Sequence, residues 1–358
     1  MPLFRTETVT SISTLVTQLN TFLVLAGGSN PNWTSDLINT GTGLWAISKD
    51  DGGTGEVEVA FAWDTGTPNN LAIFQYHTGL GAGNYNLGNN PWAQAGDSGN
   101  GAASQVNATI ATSRHVAIGA TPIRYWAFAS DPDANVYVVV QTSALEYVHF
   151  GFGALEKNND YDGGEFAYGN RFQVAASADF ALEPRSTCLL DGRAGTSSGT
   201  DMEDHAATVH LEGIPASPVN GMWAVHMQHQ VGGTVGNNWL LGQDRQTVPV
   251  DRIQCIGGFR AGAVAVWFGQ FPGSLSSGRF EAYPIVCVNS DRNDTDTMYP
   301  LGQMVDVRGV SLRNLQAQDT RIIGSDTWHV FPTHERGEGS GAPLSGTSAL
   351  QGIMYKEN

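Results

Sequence analysis

The chain has 358 residues, of which 44 are glycine and only 15% are charged, with 18 basic side chains against 34 acidic ones and a net charge of −16. An ordinary globular domain carries about 7% glycine and about 25% charged residues. The lysines are Lys49, Lys157 and Lys356 alone, so no basic patch exists to neutralise phosphates, and nucleic-acid binding is excluded as an expectation.

A chain of this length suits two or three domains or one large all-β unit. Its acidity suits a crowded or repeated assembly that stays soluble by mutual repulsion. The opening residues MPLFRTETVTS lack the basic stretch followed by an apolar run that marks a secretory signal. Apolar runs such as Val136–Val140 and Ala261–Phe268 fall short of the roughly 20 residues that span a bilayer. A soluble chain made in the cytoplasm, with no membrane insertion, is therefore expected.

Ile12, Leu15, Val16, Leu19, Phe22 and Leu23 recur at helical spacing between the Thr8–Ser11 cluster and Gly27-Gly28. The spacing predicts an amphipathic helix over about 10–25, and no other helix of convincing length. From Trp45 the pattern changes to period two. Strands are expected at Trp45–Ile47, Val57–Trp63, Leu71–Tyr76, Ile123–Phe128 and Val136–Val140, punctuated by Gly-, Asn-, Asp- and Pro-rich turns. The segment Gly79–Gly101 is almost entirely turn formers and reads as a long surface loop.

Tyr147–Gly169 alternates aromatic and small residues, breaks at Asn158-Asn159-Asp160, and restarts with Phe166 and Tyr168 after Gly163-Gly164. That is the pattern of a structural β-hairpin. Residues 183–220 read as loop. Further strands are expected at Met222–Gln228, Trp239–Leu241, Ala263–Phe268, Arg279–Val288, Val305–Val310 and Arg321–Phe331. The fold class is all-β with one N-terminal amphipathic helix and β-sandwich-like sheets. Three regions are expected: a helical arm over 1–26, a β-domain with the long loop over 27–175, and a second β-region over 176–358. The boundary near 175 is soft, leaving open one shared sheet system.

The chemical motifs are weak. His226 and His229 are three apart on an expected strand, which puts their rings on opposite faces, where they cannot share an ion. His205 and His210, with Glu203 and Asp204, read as a solvated turn. Asp291–Asp296 alternates carboxylates but lacks the glycine and terminal Glu of a calcium loop. Gly151-Phe152-Gly153 has no following helix or lysine to hold a nucleotide, and Gly192–Gly199 has serines but no strand–elbow–helix setting. Glu165 and Asp162, beside aromatic residues, are where paired carboxylates would be sought. Cys188, Cys255 and Cys287 show no Cys-x-x-Cys spacing and read as three buried thiols, an odd number that cannot pair fully within one chain. No catalytic, metal or cofactor site is expected, and no enzyme.

The C-terminal run contains Tyr299-Pro300-Leu301-Gly302, then Asp306-Val307-Arg308, then Asp326-Thr327-Trp328-His329-Val330-Phe331-Pro332, and ends Gly352-Ile353-Met354-Tyr355. It resembles the closing region of virion proteins from tailed bacteriophages, in which a Gly-Asp-x-Trp-x-x-Phe-Pro element precedes a loop and a last strand Gly-Ile-Ala-Tyr. Here Gly324-Ser325-Asp326 is one residue longer, and Met354 replaces the alanine. The helix followed by Trp33 and Trp45 suits the same group. The resemblance implies a tail, collar or neck, or baseplate subunit that assembles with copies of itself and with other virion proteins, and it implies no catalytic residue. The helix face of Ile12, Leu15, Leu19 and Phe22, packed on its own or a neighbour's sheet, and Tyr85 and Trp92 in the long loop are the expected interface residues. The alternative is an adhesin whose Tyr85 and Trp92 stack on host-surface glycans.

Overall fold

The structure is a computed structural model that describes residues 3–24, 31–50, 56–63, 71–75, 115–118, 121–130, 133–144, 146–158, 160, 163–169, 171–172, 205–212, 222–228, 240–241, 252–256, 282–290, 298–312, 315–332 and 351–357. Strand β1 (Leu3–Thr8) leads into helix α1 (Ile12–Val24), the one helix among the described residues. Ser11 caps it: its Oγ accepts the Thr14 amide at 3.1 Å and satisfies one of the orphan N–H groups of the first turn. Ile12, Leu15, Val16, Leu19, Phe22 and Leu23 are all buried. On the polar side, the Thr17 and Thr21 hydroxyls donate to the carbonyls of Ser13 and Thr17, one turn back.

A first sheet is an antiparallel meander of β2 (Thr34–Asn39), β3 (Leu44–Asp50), β4 (Glu56–Trp63), β5 (Leu71–Gln75) and β6 (His115–Ile118), extended beyond β6 by β12 (Arg171–Phe172). Trp45 lies opposite Phe61 in the β3–β4 register, and their rings stack at 4.6 Å. The Trp45 indole N–H donates to Asn20 Oδ1 at 2.9 Å, tying the helix to this sheet.

The second sheet begins with β1, β7 (Arg124–Ala129), β8 (Val136–Gln141), β9 (Tyr147–Ala154) and β11 (Gly163–Tyr168). It continues through β13 (His205–Glu212), β14 (Met222–Gln228), β16 (Arg252–Ile256), β17 (Ala282–Ser290) and β18 (Met298–Ser311). It ends in β21 (Gln351–Lys356), β20 (Asp326–Pro332) and β19 (Thr320–Ile323). Two short strands lie off this path: β10 (Glu156–Lys157) pairs with β18, and β15 (Leu240–Leu241) pairs with β14. The pairings are antiparallel, except that β14 and β16 meet in parallel through the single rung Met227–Ile253. The regions 27–175 and 176–358 thus share one sheet.

Strands β7, β8 and β9 are buried on both faces, and period two separates the two cores. Tyr125, Ala127, Ala129, Val136, Val138, Val140, Val148, Phe150 and Phe152 join the helix face and the first sheet in one cluster. Phe61 of β4 makes edge contacts with Phe150 and Phe152 at 6.1 and 5.6 Å. The alternate residues Trp126, Phe128, Tyr137, Tyr147 and His149 meet β20 and β21 through ring contacts instead. The result is three layers, with β1, β7, β8, β9 and β11 in the middle. Each large apolar side chain so buried contributes about 1.5–3 kcal/mol.

Several expectations need correction. Arg321–Phe331 is not one strand but the β19–β20 hairpin, with Ile323 opposite Asp326. Gly324 stands at φ 65° at the first position of the two-residue turn, the pattern of a type II′ turn, which demands glycine there. Residues 205–212 are strand β13, paired on both sides, and not loop. The expected hairpin is present as β9 and β11, with Phe166 opposite Gly153. The expected strand Ala263–Phe268 and the loop Gly79–Gly101 lie outside the described residues.

Candidate functional site

The described polar side chains converge most where the C-terminal strands cross the middle layer. His149, on β9, is fully buried at 0% exposure. Its Nε2 lies 2.8 Å from the Pro332 carbonyl oxygen and its Nδ1 lies 2.8 Å from the Tyr355 hydroxyl. A carbonyl oxygen has no proton to give, so Nε2 carries the hydrogen and donates it to Pro332. In the neutral ring Nδ1 then accepts from the Tyr355 O–H. The Tyr168 hydroxyl stands 3.4 Å from that of Tyr355, whose own proton is already committed, so Tyr168 is the donor of this longer contact. The chain of hydrogen bonds runs from Tyr168 to Tyr355 to His149 and ends on the Pro332 carbonyl as acceptor, and it links β11, β21, β9 and β20.

Small residues make room for the large ones. A Cβ on Gly151 would meet the rings of Tyr168 and Tyr137, and a Cβ on Gly352 would meet Leu312 and the Phe331 carbonyl. Around the polar centre, Tyr355 stacks on Phe128 at 5.2 Å and Phe331 packs on Trp126 at 5.1 Å. The opposite face of β20 and β21 carries Trp328, Val330 and Met354, which form a separate cluster with Val310, Leu312 and Leu315. Arg308 lies over the Trp328 ring at 5.0 Å, close enough for a cation–π contact.

A second set of contacts comes from a bulge in β18. The β17 register steps from Pro284–Arg308 to Val286–Gln303, so β18 holds extra residues there. Within the bulge Asp306 takes φ 59°, an unusual conformation for a residue with a side chain. The bulge presents the Val305 carbonyl to the Tyr137 hydroxyl at 2.6 Å and Asp306 Oδ2 to the Ser130 hydroxyl at 2.5 Å. Lys356 Nζ then lies 3.7 Å from Asp306 and 3.2 Å from Asp326. At the near edge, Phe4 of β1 stacks on His329 at 4.7 Å, while His329 Nε2 meets Glu357 Oε2 at 2.7 Å. Gln318 Nε2 donates to the Tyr147 hydroxyl at 2.7 Å.

Chemically this arrangement is a clasp. A general base must reach the proton it removes. Here both nitrogens of the buried His149 ring are engaged by the chain's own Pro332 and Tyr355. The donors and acceptors are spent on holding the last strands to the middle layer.

The expected site residues are distributed otherwise. Ile12, Leu15, Leu19 and Phe22 are 0–7% exposed within the chain's own core, so this face packs on its own sheets. Tyr85 and Trp92 lie outside the described residues, as do His229, Glu203, Asp204, Asp162 and Asp291–Asp296. His226 is on strand β14, as expected, whereas His205 and His210 are on a strand and not in a turn. Glu165 is buried on β11. Among the described residues no three metal-ligating side chains come together, and no helix is long and apolar enough to cross a membrane. Sequence reasoning missed the His149–Tyr355 pair. Its signal was a lone histidine in an aromatic strand and a tyrosine closing the last one. No protein-family model matches the chain, and no curated protein matches it.

Proposed function

We propose that this chain is a structural subunit of a tailed bacteriophage particle, in the tail, the collar or neck, or the baseplate. It acts in several copies that contact one another and other virion proteins. The observation that carries this reading is where the residues of the C-terminal resemblance fall. Phe331, Pro332 and Tyr355 join the last hairpin and strand to the middle layer, while Trp328 packs in the cluster on their other face and Gly352 lets β21 fit close against Leu312 and the Phe331 carbonyl. A sequence pattern spent on packing suits a protein whose task is to hold shape. The low charge and the abundance of glycine support the same reading, because surfaces that meet other subunits lose charged residues at their centre.

The test is direct. Antibodies raised against the purified full-length chain should label tailed particles at one defined place, and mass spectrometry of those particles should find this chain in multiple copies. Particles without the chain would overturn the proposal. The adhesin alternative predicts label at the outermost tip and binding on a glycan array, and an internal position with no glycan bound would rule it out.

A further inference from the structure

Cys255 lies in β16 and Cys287 in β17, and the antiparallel register sets them directly opposite each other. That register is unbroken from Arg252–Ser290 to Ile256–Val286. Facing residues of an antiparallel pair share one face of the sheet, with α-carbons about 4.5 Å or about 5.5 Å apart according to the rung type. Disulfide-linked cysteines have α-carbons about 4.4–6.8 Å apart. Both rung types meet that α-carbon spacing, and the non-hydrogen-bonded one also brings the β-carbons nearest to the about 3.5–4.5 Å that the bridge needs. Two of the three cysteines, 32 positions apart in the chain, are therefore placed as a pair (287 − 255 = 32).

We propose that Cys255 and Cys287 form a redox-responsive cross-strand pair, closed by exchange with a small-molecule disulfide such as glutathione disulfide. One cysteine thiolate attacks a sulfur of that disulfide, forming a mixed disulfide and releasing one glutathione thiolate. The second cysteine thiolate then attacks the protein sulfur of the mixed disulfide and releases the other glutathione. Two protein thiols are oxidised, one disulfide is reduced to two thiols, and the two protons lost by the cysteines end on the departing thiolates. The place matters for the fold. Among the described residues β16 meets β14 on its other side through one parallel rung and β17 through five antiparallel ones, and the disulfide makes the β16–β17 attachment covalent. This inference does not depend on the virion reading.

The test uses the full-length chain, equilibrated in mixtures of reduced and oxidised glutathione, trapped with N-ethylmaleimide and digested without reduction. A parallel sample is refolded from denaturant in the oxidising mixture, so that access to the thiols is not limiting. The expected result is one cross-linked peptide pair joining Cys255 to Cys287, with free thiols falling from three to one. Cys188→Ser should still form the link, and Cys287→Ser should not. A link that involves Cys188, glutathione adducts on Cys255 and Cys287 separately, or no link in either sample would overturn the proposal.

Discussion

His149 Nδ1 lies 2.8 Å from the Tyr355 hydroxyl, and 206 residues of chain separate the two. This contact joins the centre of the middle layer to the last strand. Tyr355→Phe removes the donor and keeps the ring, so the stacking on Phe128 is preserved while a buried acceptor loses this partner. The expected cost is about 1–3 kcal/mol, the usual penalty for a buried polar atom left without its partner. A double-mutant cycle with His149→Leu, read by urea unfolding, should give a coupling energy of at least about 0.5 kcal/mol. Strict additivity would mean that the two groups do not act together.

Tyr125 gives the fold an alkaline limit. It is fully buried on β7 and its hydroxyl has no hydrogen-bond partner among the described residues. Burial, the main cause, pushes its phenol well above the usual range, with Arg5 opposing and Glu7 adding to the shift. The raised value in the folded chain means that the unfolded chain loses this proton first. The contribution of Tyr125 to stability is therefore fully present below about pH 10, the ordinary value for tyrosine, and falls as pH rises beyond it. Tyr125→Phe should flatten that fall and cost little at pH 7, because it removes a buried hydroxyl that has no partner. A wild-type decline between pH 10 and 11.5 that the variant retains in full would assign the effect to other groups.

Local patterns were legible in the sequence, and pairings were not. The helix face from Ile12 to Leu23 and the strands around Trp45, Val57, Val136 and Tyr147 each carry a period that one segment can show alone. The β19–β20 break is hidden in the sequence because Ile322, Ile323, Trp328 and Val330 read as one apolar stretch, and Gly324 belongs to the Gly324-Ser325-Asp326 element of the C-terminal resemblance. Strand β13 was missed because charged and histidine neighbours around 203–205 resemble a solvated turn. The clasp could not be read at all. His149 and Tyr355 are informative only once the sheet has brought them together, and the same holds for Cys255 and Cys287.

Two glycines should respond differently to the same change. Gly324→Ala puts a side chain on a residue at φ 65°, with nothing within 4 Å of the new carbon. Its cost is conformational only, about 1–2 kcal/mol. Gly352→Ala drives a carbon into Leu312 and into the Phe331 carbonyl between paired strands, where overpacking costs typically about 1–3 kcal/mol or more. Thermal melts should rank Gly352→Ala below Gly324→Ala. The reverse order would mean that β21 shifts freely, against its tight fit between β18 and β20.

The last strand should be required for a folded chain. β21 pairs with β18 on one side, through Val307–Tyr355 to Ser311–Gln351, and with β20 on the other, through Trp328–Lys356 to Pro332–Gly352. A chain ending at residue 350 loses both ladders together, along with Tyr355 from the aromatic face and Met354 from the cluster around Trp328. The β19–β20 hairpin would then keep no strand partner in the sheet, since β21 is its route into it. A two-stranded hairpin is marginal alone in water. Two open strand edges and the uncovered rings of Trp126, Phe128 and Tyr147 would favour aggregation. The expected outcome is insoluble protein, or a soluble fraction without near-ultraviolet circular dichroism from ordered aromatic rings. A soluble product with the melting midpoint of the full chain would show that the middle layer closes without β21, and the clasp would then be an accessory to the fold.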